Sequence, residues 1–293
     1  MDVAPFFVIG SPRSGTSMLR LMLTCNPRLI VPPECGFILW LRSRFGDWTG
    51  REFANGTKRE FFVDSVVGAR KFETWNISPE SIAAAIVDAE PHSYASACDA
   101  IYRLYANRSG KSNAIWGDKN NYYLAHIDDL KALFPLARFL HIVRDGRDVA
   151  CSYRELASLE SSSAYRPHLP TSIPEIARQW AGDVSLIRNQ LSSLAVHDWH
   201  EIRYEDLVSC PLEQLQQVCN WLGVAFSSSM LEFHLSNIEF WLEPKETLDW
   251  KLRTRTPVSA STVGRHKRML AREELSSINT IAKEQLSHYG YLL

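Results

Sequence analysis

The first regular pattern in the chain is an unbroken apolar run, Phe6-Phe7-Val8-Ile9, which stops at Gly10 before Met18-Leu19-Arg20-Leu21-Met22-Leu23. Aromatic and β-branched residues in a short run bounded by glycine predict a buried strand. The following helix, about Thr16 to Thr24, should end near Asn26-Pro27, because proline disfavours helix in the residue before it. Leu29-Ile30-Val31, stopped by Pro32-Pro33, Phe139–Val143 and Val196–Arg203 predict further strands. Helices are predicted over Ile82–Val87, capped by Ser78 with Pro79 behind it, and near Ile127–Phe134. Three more are predicted: Val149–Ser158 capped by Asp148, Pro211–Leu222 stopped by Gly223, and Arg272–Ser287. Ile176, Trp180, Val184, Ile187 and Leu191 recur at helical spacing, so Pro174–Leu191 reads as an amphipathic helix facing the core. Strands alternating with helices predict an α/β fold, a central mostly parallel sheet flanked by helices.

Weaker patterning fills the rest. Residues 37–112 are helical and loop-like and rich in aromatics, a cover over the sheet that is also suited to be the wall of an acceptor pocket. Trp116-Gly117-Asp118-Lys119-Asn120-Asn121 reads as a compact polar turn, Ser158 to Ser172 as a Ser/Pro-rich loop, and 236–263 as a long loop. Loops of that length in a compact domain are usually functional or disordered. The last one runs into Ser261-Thr262-Val263-Gly264-Arg265-His266-Lys267-Arg268, the most basic short run in the chain. No internal repeat or low-complexity linker interrupts the text, so one domain spanning 1–293 is expected, with 37–112 as a helical insertion on the acceptor side.

Composition narrows the possibilities. In 293 residues, 45% hydrophobic and 22% charged content suits a globular protein. A formal net charge of -1 gives no global attraction to nucleic acid or an anionic membrane, so any anion site must be local. No window approaches the roughly 18 apolar residues of a membrane span. The first strand begins near Phe6, leaving no room for a signal peptide. Six scattered cysteines without a CxxC pair predict free thiols in a reducing compartment, hence a cytoplasmic location. On that expectation the N-x-Ser/Thr triplets at Asn55, Asn76 and Asn107 are not glycosylation sites.

Candidate chemistry begins at Gly10. A strand, a Gly/Ser/Pro loop and a helix N-terminus turn backbone N–H groups toward an anion. Gly10-x4-Gly15 matches the front of a Walker A loop, but Thr16-Ser17 stands where Lys-Ser/Thr should follow, and the cation, Arg13, lies inside the loop. Arg144 closes a strand, and Ser152 lies in the first turns of the next helix, so the pair can hold a second phosphate from two sides. A surface ion-pair network of Arg144, Asp145, Arg147 and Asp148 is the plainer alternative. Glu34 and Tyr204 also follow candidate strands, and ligands of open α/β sheets bind at strand carboxyl ends. Neither a Walker B acid nor a His/Cys cluster of metal-ligand spacing is evident, so no metal is expected.

These blocks resemble the sulfotransferases that use 3′-phosphoadenosine 5′-phosphosulfate (PAPS). Gly10-Ser-Pro-Arg-Ser-Gly-Thr-Ser17 resembles their 5′-phosphosulfate loop, and Arg144 with Ser152, eight residues apart, resembles their 3′-phosphate site. Tyr204 in Arg-Tyr-Glu-Asp-Leu resembles the tyrosine against the adenine, and Val263-Gly264-Arg265-x-Lys267-Arg268 the basic segment that closes over the cofactor. The similarity is nearest to the tyrosylprotein sulfotransferases and their bacterial relatives. It implies a P-loop-like fold, with donor contacts from Arg13, Ser14, Gly15, Thr16, Ser17, Arg144, Ser152, Tyr204, Ser261, Val263, Gly264, Arg265 and Lys267. It also implies Glu34 as the base that takes the acceptor proton, with Lys119 and Arg13 neutralising charge on the transferring group.

The implied reaction moves a sulfuryl group to a hydroxyl or amine and leaves 3′,5′-adenosine bisphosphate. In-line attack on sulfur builds charge on the sulfuryl and leaving oxygens, where fixed cations and loop N–H groups would act. The expected acceptor is a small molecule, lipid or carbohydrate; Trp40, Trp48, Trp75 and Tyr94 are candidates for its pocket, with core packing the commoner role. The rival readings are a P-loop nucleotide kinase or phosphotransferase, and a non-catalytic nucleotide-binding module.

Overall fold

The computed structural model describes residues 4–240 and 242–292. Its sheet holds β1 (Phe6–Ile9), β2 (Leu29–Ile30), β3 (Ile115–Lys119), β4 (Arg138–Val143) and β5 (Trp199–Arg203) in the order β2-β3-β1-β4-β5. All four pairings are parallel, as the alternation of strands and helices requires. In the register, Val8 of β1 lies between Lys119 of β3 and Leu140 of β4. Side chains alternate across β1: Phe7 and Ile9 enter one core, Phe6 and Val8 the other. Each fully buried side chain of this kind contributes about 1.5–3 kcal/mol, and both faces of the sheet are covered.

One face is covered mainly by residues 37–112. Phe37, Trp75 and Tyr102 pack against one another, Tyr102 stacks on Trp116 with centroids 4.1 Å apart, and Trp116 packs edge-on to Phe7. The other face takes the helix Thr16–Thr24 and the helix Pro211–Leu222, which stops at Gly223 as expected. A third core joins Gly146–Ser158, the long helix Ile173–Ser192 and the C-terminal helices, with Trp180 at its centre.

Several expected elements differ. Residues 115–119 form a strand, and the turn expected over 116–121 begins only after it, because Asp118 and Lys119 are buried and satisfied by internal partners. Val196–Asp198 is a 3-10 turn, and β5 starts at Trp199. The cap of Gly146–Ser158 is Asp145, whose carboxylate accepts from Arg147 N, so Asp148 falls in the first turn. The last helix breaks at Ala282 into Arg272–Ile281 and Lys283–His288. The expected loop over 236–263 includes the end of the helix Phe233–Phe240 and 3-10 turns at Lys245–Trp250, Leu252–Arg255 and Ala260–Thr262. Its order comes from buried polar pairs, such as Asn237 with Thr254 and Glu243 with Lys251, which leave no apolar period to read.

Candidate active site

The loop after β1 carries two unusual backbone positions. Gly15, at φ +99, caps the helix Thr16–Thr24, and a Cβ there would lie 2.6 Å from the Tyr204 ring. Only glycine meets both demands. Arg13 sits at φ 69, a region that side-chain-bearing residues seldom occupy and that concentrates at functional sites. Its guanidinium points across the sheet end: Nε donates to Ser152 Oγ at 3.0 Å and Nη1 to the Trp250 carbonyl at 3.0 Å. Arg144, at the end of β4, donates to the carbonyls of Arg13 (3.1 Å) and Thr262 (3.2 Å) and stacks over the Tyr204 ring at 4.3 Å. Thus the first loop, Arg144, Ser152 and Tyr204 meet at one crevice, formed where the sheet order turns outward on either side of β1. Burial, and then the neighbouring charge of Arg144, push Arg13 down to about 10. Arg144 Nε, in the crevice, is buried without a partner among the described residues, which suits an anion; Ser14 is also buried with an unpartnered hydroxyl but stands outside the crevice lining.

The basic segment forms a strap held from beneath. Asp148 accepts from Gly264 N (2.7 Å), His266 N (2.9 Å) and His266 Nδ1 (2.7 Å). Thr262 meets the Tyr204 hydroxyl at 2.8 Å, and Arg265 pairs with Glu155 at 2.5 Å. Arg265 is buried and lines the crevice, whereas Ser261, Val263 and Lys267 are exposed and, with Gly264, stand outside its lining.

Beside the loop lies a buried ion cluster. Glu34 follows the Pro32-Pro33 turn after β2, and the Trp75 indole donates to Pro33 O at 2.9 Å, so the aromatic layer fixes the turn that carries the carboxylate. Three ammonium groups face Glu34: Lys119 from the end of β3, in direct contact; Lys71 at 2.9 Å; and Lys251 at 4.0 Å. Lys71 holds φ 71 just before the 3-10 turn Phe72–Trp75. Lys251 is oriented by Glu243 at 2.5 Å, which also binds the buried Arg20 at 2.8 Å. Burial alone would raise the Glu34 pKa, but Lys119, Lys251 and Lys71 together hold it well below the usual carboxylate value. Burial, helped by the charge of Lys251, prevails over Glu34 and the more distant Glu243 and lowers Lys119 to about 8. Beneath it Asp118 accepts from Tyr102 (2.6 Å), Tyr123 (2.5 Å) and Lys119 N (2.6 Å); burial still lifts Asp118 to about 7.

A single cleft of about 420 Å³ contains Arg13, Gly15, Thr16, Ser17, Glu34, Lys119, Arg144, Ser152, Tyr204 and Arg265 together. Lys71 and Lys251 also line it, and sequence reasoning missed both. Neither lies in a motif; an isolated lysine after Arg70 and another after Trp250 carry no local signal. Trp40, Trp48, Trp75 and Tyr94 lie outside the lining, and Trp75 and Tyr94 are buried in the core. Among the described residues, no group of His, Cys, Asp and Glu gathers as a metal site, and no helix is long and apolar enough to cross a membrane. All six cysteines are free.

A parallel sheet with a glycine-capped loop leading from its first strand into a helix defines a P-loop-like α/β protein. The sulfotransferase family model matches residues 5–228, and the chain belongs to that family. It is 26% identical over 238 residues to nodulation protein NoeE of Sinorhizobium fredii, covering 76% of this chain and 51% of that protein. It is 22% identical over 237 residues to a putative protein-tyrosine sulfotransferase of Caenorhabditis briggsae, covering 78% and 68%. The chain thus spans about half of the nodulation protein's length. Among solved structures, the sulfotransferase domain of the curacin biosynthetic pathway superposes with a TM-score of 0.60 at 23% identity, covering 97% of this chain and 98% of that one. The corresponding domain of the Synechococcus olefin synthase gives 0.61 at 18% identity, covering 96% of each. At these identities the superpositions show the fold.

Proposed function

We propose that this protein transfers the sulfuryl group of PAPS to a hydroxyl or amine of a small-molecule, lipid or carbohydrate acceptor. The observation that carries this reading is the meeting of Arg13, Arg144 and Ser152 with Glu34 and Lys119 in one cleft. Arg13 reaches Ser152 at 3.0 Å on one side, and Glu34 contacts Lys119 on the other. A mouse sulfotransferase of the same fold, with a TM-score of 0.50, was solved with adenosine bisphosphate (PAP), which supports the nucleotide as donor. Arg144 Nε fits that group, since it lines the cleft and lacks a protein partner that an anion would supply.

Bound PAPS supplies an activated sulfuryl whose leaving group is a phosphate oxygen. Residues of the first loop, Gly15, Thr16 and Ser17, present N–H groups and hydroxyls to the 5′ end. Arg144 and Ser152 would hold the 3′-phosphate, Tyr204 would lie against the base, and the strap ending in Arg265 would cover it. Lys119 would place fixed charge where the transferring oxygens become negative, while Arg13, turned toward Ser152, would meet the donor's phosphates. Glu34 takes the acceptor's proton at its carboxylate. A carboxylate held below its usual pKa suffices because the attacking oxygen becomes strongly acidic as its bond to sulfur forms. Lys119, once shared with sulfuryl oxygens, loosens its hold on Glu34 at that stage. The cations of the cleft thus supply the charge stabilisation that a magnesium-dependent kinase obtains from its metal.

The test incubates the purified protein with PAPS and a metabolite extract and seeks sulfated products by mass spectrometry, with Glu34→Gln as control. Products that form with the wild type and vanish with the variant support the reading. A wild type that binds adenosine bisphosphate but sulfates nothing favours the non-catalytic module.

A further inference from the structure

The cleft holds more positive charge than its donor needs. Nine lysine and arginine side chains line it against two carboxylates, Glu34 and Glu155. PAPS brings about four negative charges, roughly two on the 3′-phosphate and one each on the joined phosphate and sulfate. Part of the surplus gathers around Tyr165, next to Glu34. Lys71 reaches Glu34 and also faces the Tyr165 ring at 5.7 Å, and Arg70 stacks over the same ring at 5.4 Å. Arg166, the next residue along, also lines the cleft. Among the described residues, neither Arg70 nor Arg166 has a carboxylate partner: Arg70 is anchored on Ala164 O at 2.9 Å and Arg166 on Leu156 O at 2.9 Å. The Tyr165 hydroxyl is spent on Glu73, leaving its ring as a platform for Arg70 and Lys71, while Arg166 lines the same cleft from its anchor on Leu156 O.

Guanidinium groups anchored on carbonyls keep their remaining donors in a fixed fork suited to carboxylate or phosphate. The strained backbone of Lys71 points the same way, since it brings an ammonium group to the border between Glu34 and this cluster.

We propose that Arg70, Lys71 and Arg166 form an acceptor subsite for an anion, so that the molecule sulfated carries a phosphate or carboxylate besides its nucleophilic hydroxyl or amine. This rests on the donor reading above. The anion docks at Arg70 and Arg166, and the nucleophile is thereby directed to Glu34 and the sulfuryl beside Lys119. The acceptor loses a proton to Glu34 and gains the sulfuryl as the S–O bond to the donor phosphate breaks.

Two titrations separate this proposal from its footing. The first measures PAPS binding to the intact protein by calorimetry in the cold; absence of binding overturns the donor reading itself. The second adds methyl phosphate or acetate, with methanol as neutral control, to the PAPS-saturated protein, and follows binding by ligand-observed NMR. With the donor phosphates and sulfuryl already seated, one further anion should bind and methanol should not; the tighter anion tells phosphate from carboxylate. The Arg70→Gln/Arg166→Gln double variant should lose that anion by about tenfold or more, while its PAPS affinity, which also reports folding, stays within about twofold. Binding of neither anion, or anion binding unchanged in the double variant, overturns the subsite. So does an equal loss of PAPS, which would place these arginines on the donor.

Discussion

The donor side and the Glu34 side of the cleft are built in different ways. On the donor side, the first loop and the start of the helix Thr16–Thr24 are adjacent in the chain, and Arg144 and Ser152 share the β4-to-helix connection. Much of their hold on one another runs through carbonyls, as with Arg144 on Arg13 and Thr262. On the other side, Glu34, Lys71, Lys119 and Lys251 come from four separate segments and meet only as buried charges. Loss of one donor-side chain leaves a loop whose backbone still forms. Loss of one charge from the cluster leaves the others buried and uncompensated. The first side should therefore respond to substitution chiefly in affinity, the second chiefly in rate.

The largest expected effect is at Glu34. Glu34→Gln should lower sulfate transfer by about 10²–10⁴, the range of general-base catalysis, with adenosine bisphosphate bound as tightly as before or more so. Steady-state rates and calorimetry on the same preparation check both halves; equal activity of variant and wild type would end the base assignment. Lys119→Ala should cost about 10²–10³ in kcat. Because burial lowers Lys119 to about 8, its charge is present below that pH and lost above it. A kcat/KM profile should thus descend as pH rises through about 8, and a flat profile there would remove Lys119 from the free enzyme's requirements. Arg144→Ala should weaken adenosine bisphosphate by about 10–100-fold, the value of a charged hydrogen-bonded contact, with a smaller change in kcat. Smallest is Asp148→Asn, which keeps the fold but loosens the strap at Gly264 and His266; nucleotide dissociation should quicken a few-fold in stopped-flow displacement, by loss of charge from those contacts. An Asp148 variant that lost rate and kept affinity would invert the contrast between the two sides.

The same contrast explains what was legible in the sequence. The first loop announces itself because strand, glycine and helix follow one another within a dozen residues, and Gly15 occupies the position where only glycine fits. Arg144 and Ser152 are readable for the same reason. Glu34 is placed near the loop by its position after a strand, but its role as base, and any role for Lys119, comes only from resemblance to a family. Lys71 and Lys251 stayed hidden because the features that select them, a positive φ and an ion pair across the fold, have no one-dimensional pattern. Trp116–Lys119 misled for a related reason: polar residues at a buried strand end look like a turn until Tyr102 and Tyr123 arrive to satisfy Asp118. Of the aromatics weighed for the acceptor pocket, Trp75 and Tyr94 are core while Trp40 is exposed, and Trp75 also holds Pro33 and so positions Glu34.

The sharpest test compares two nucleotides on one preparation. Calorimetric titration with 3′,5′-adenosine bisphosphate, with and without magnesium, should show saturable binding indifferent to the metal and tighter than that of ATP with magnesium. Tighter binding of magnesium–ATP would contradict the reading of Arg13 and Arg144 as the two ends of a PAPS site.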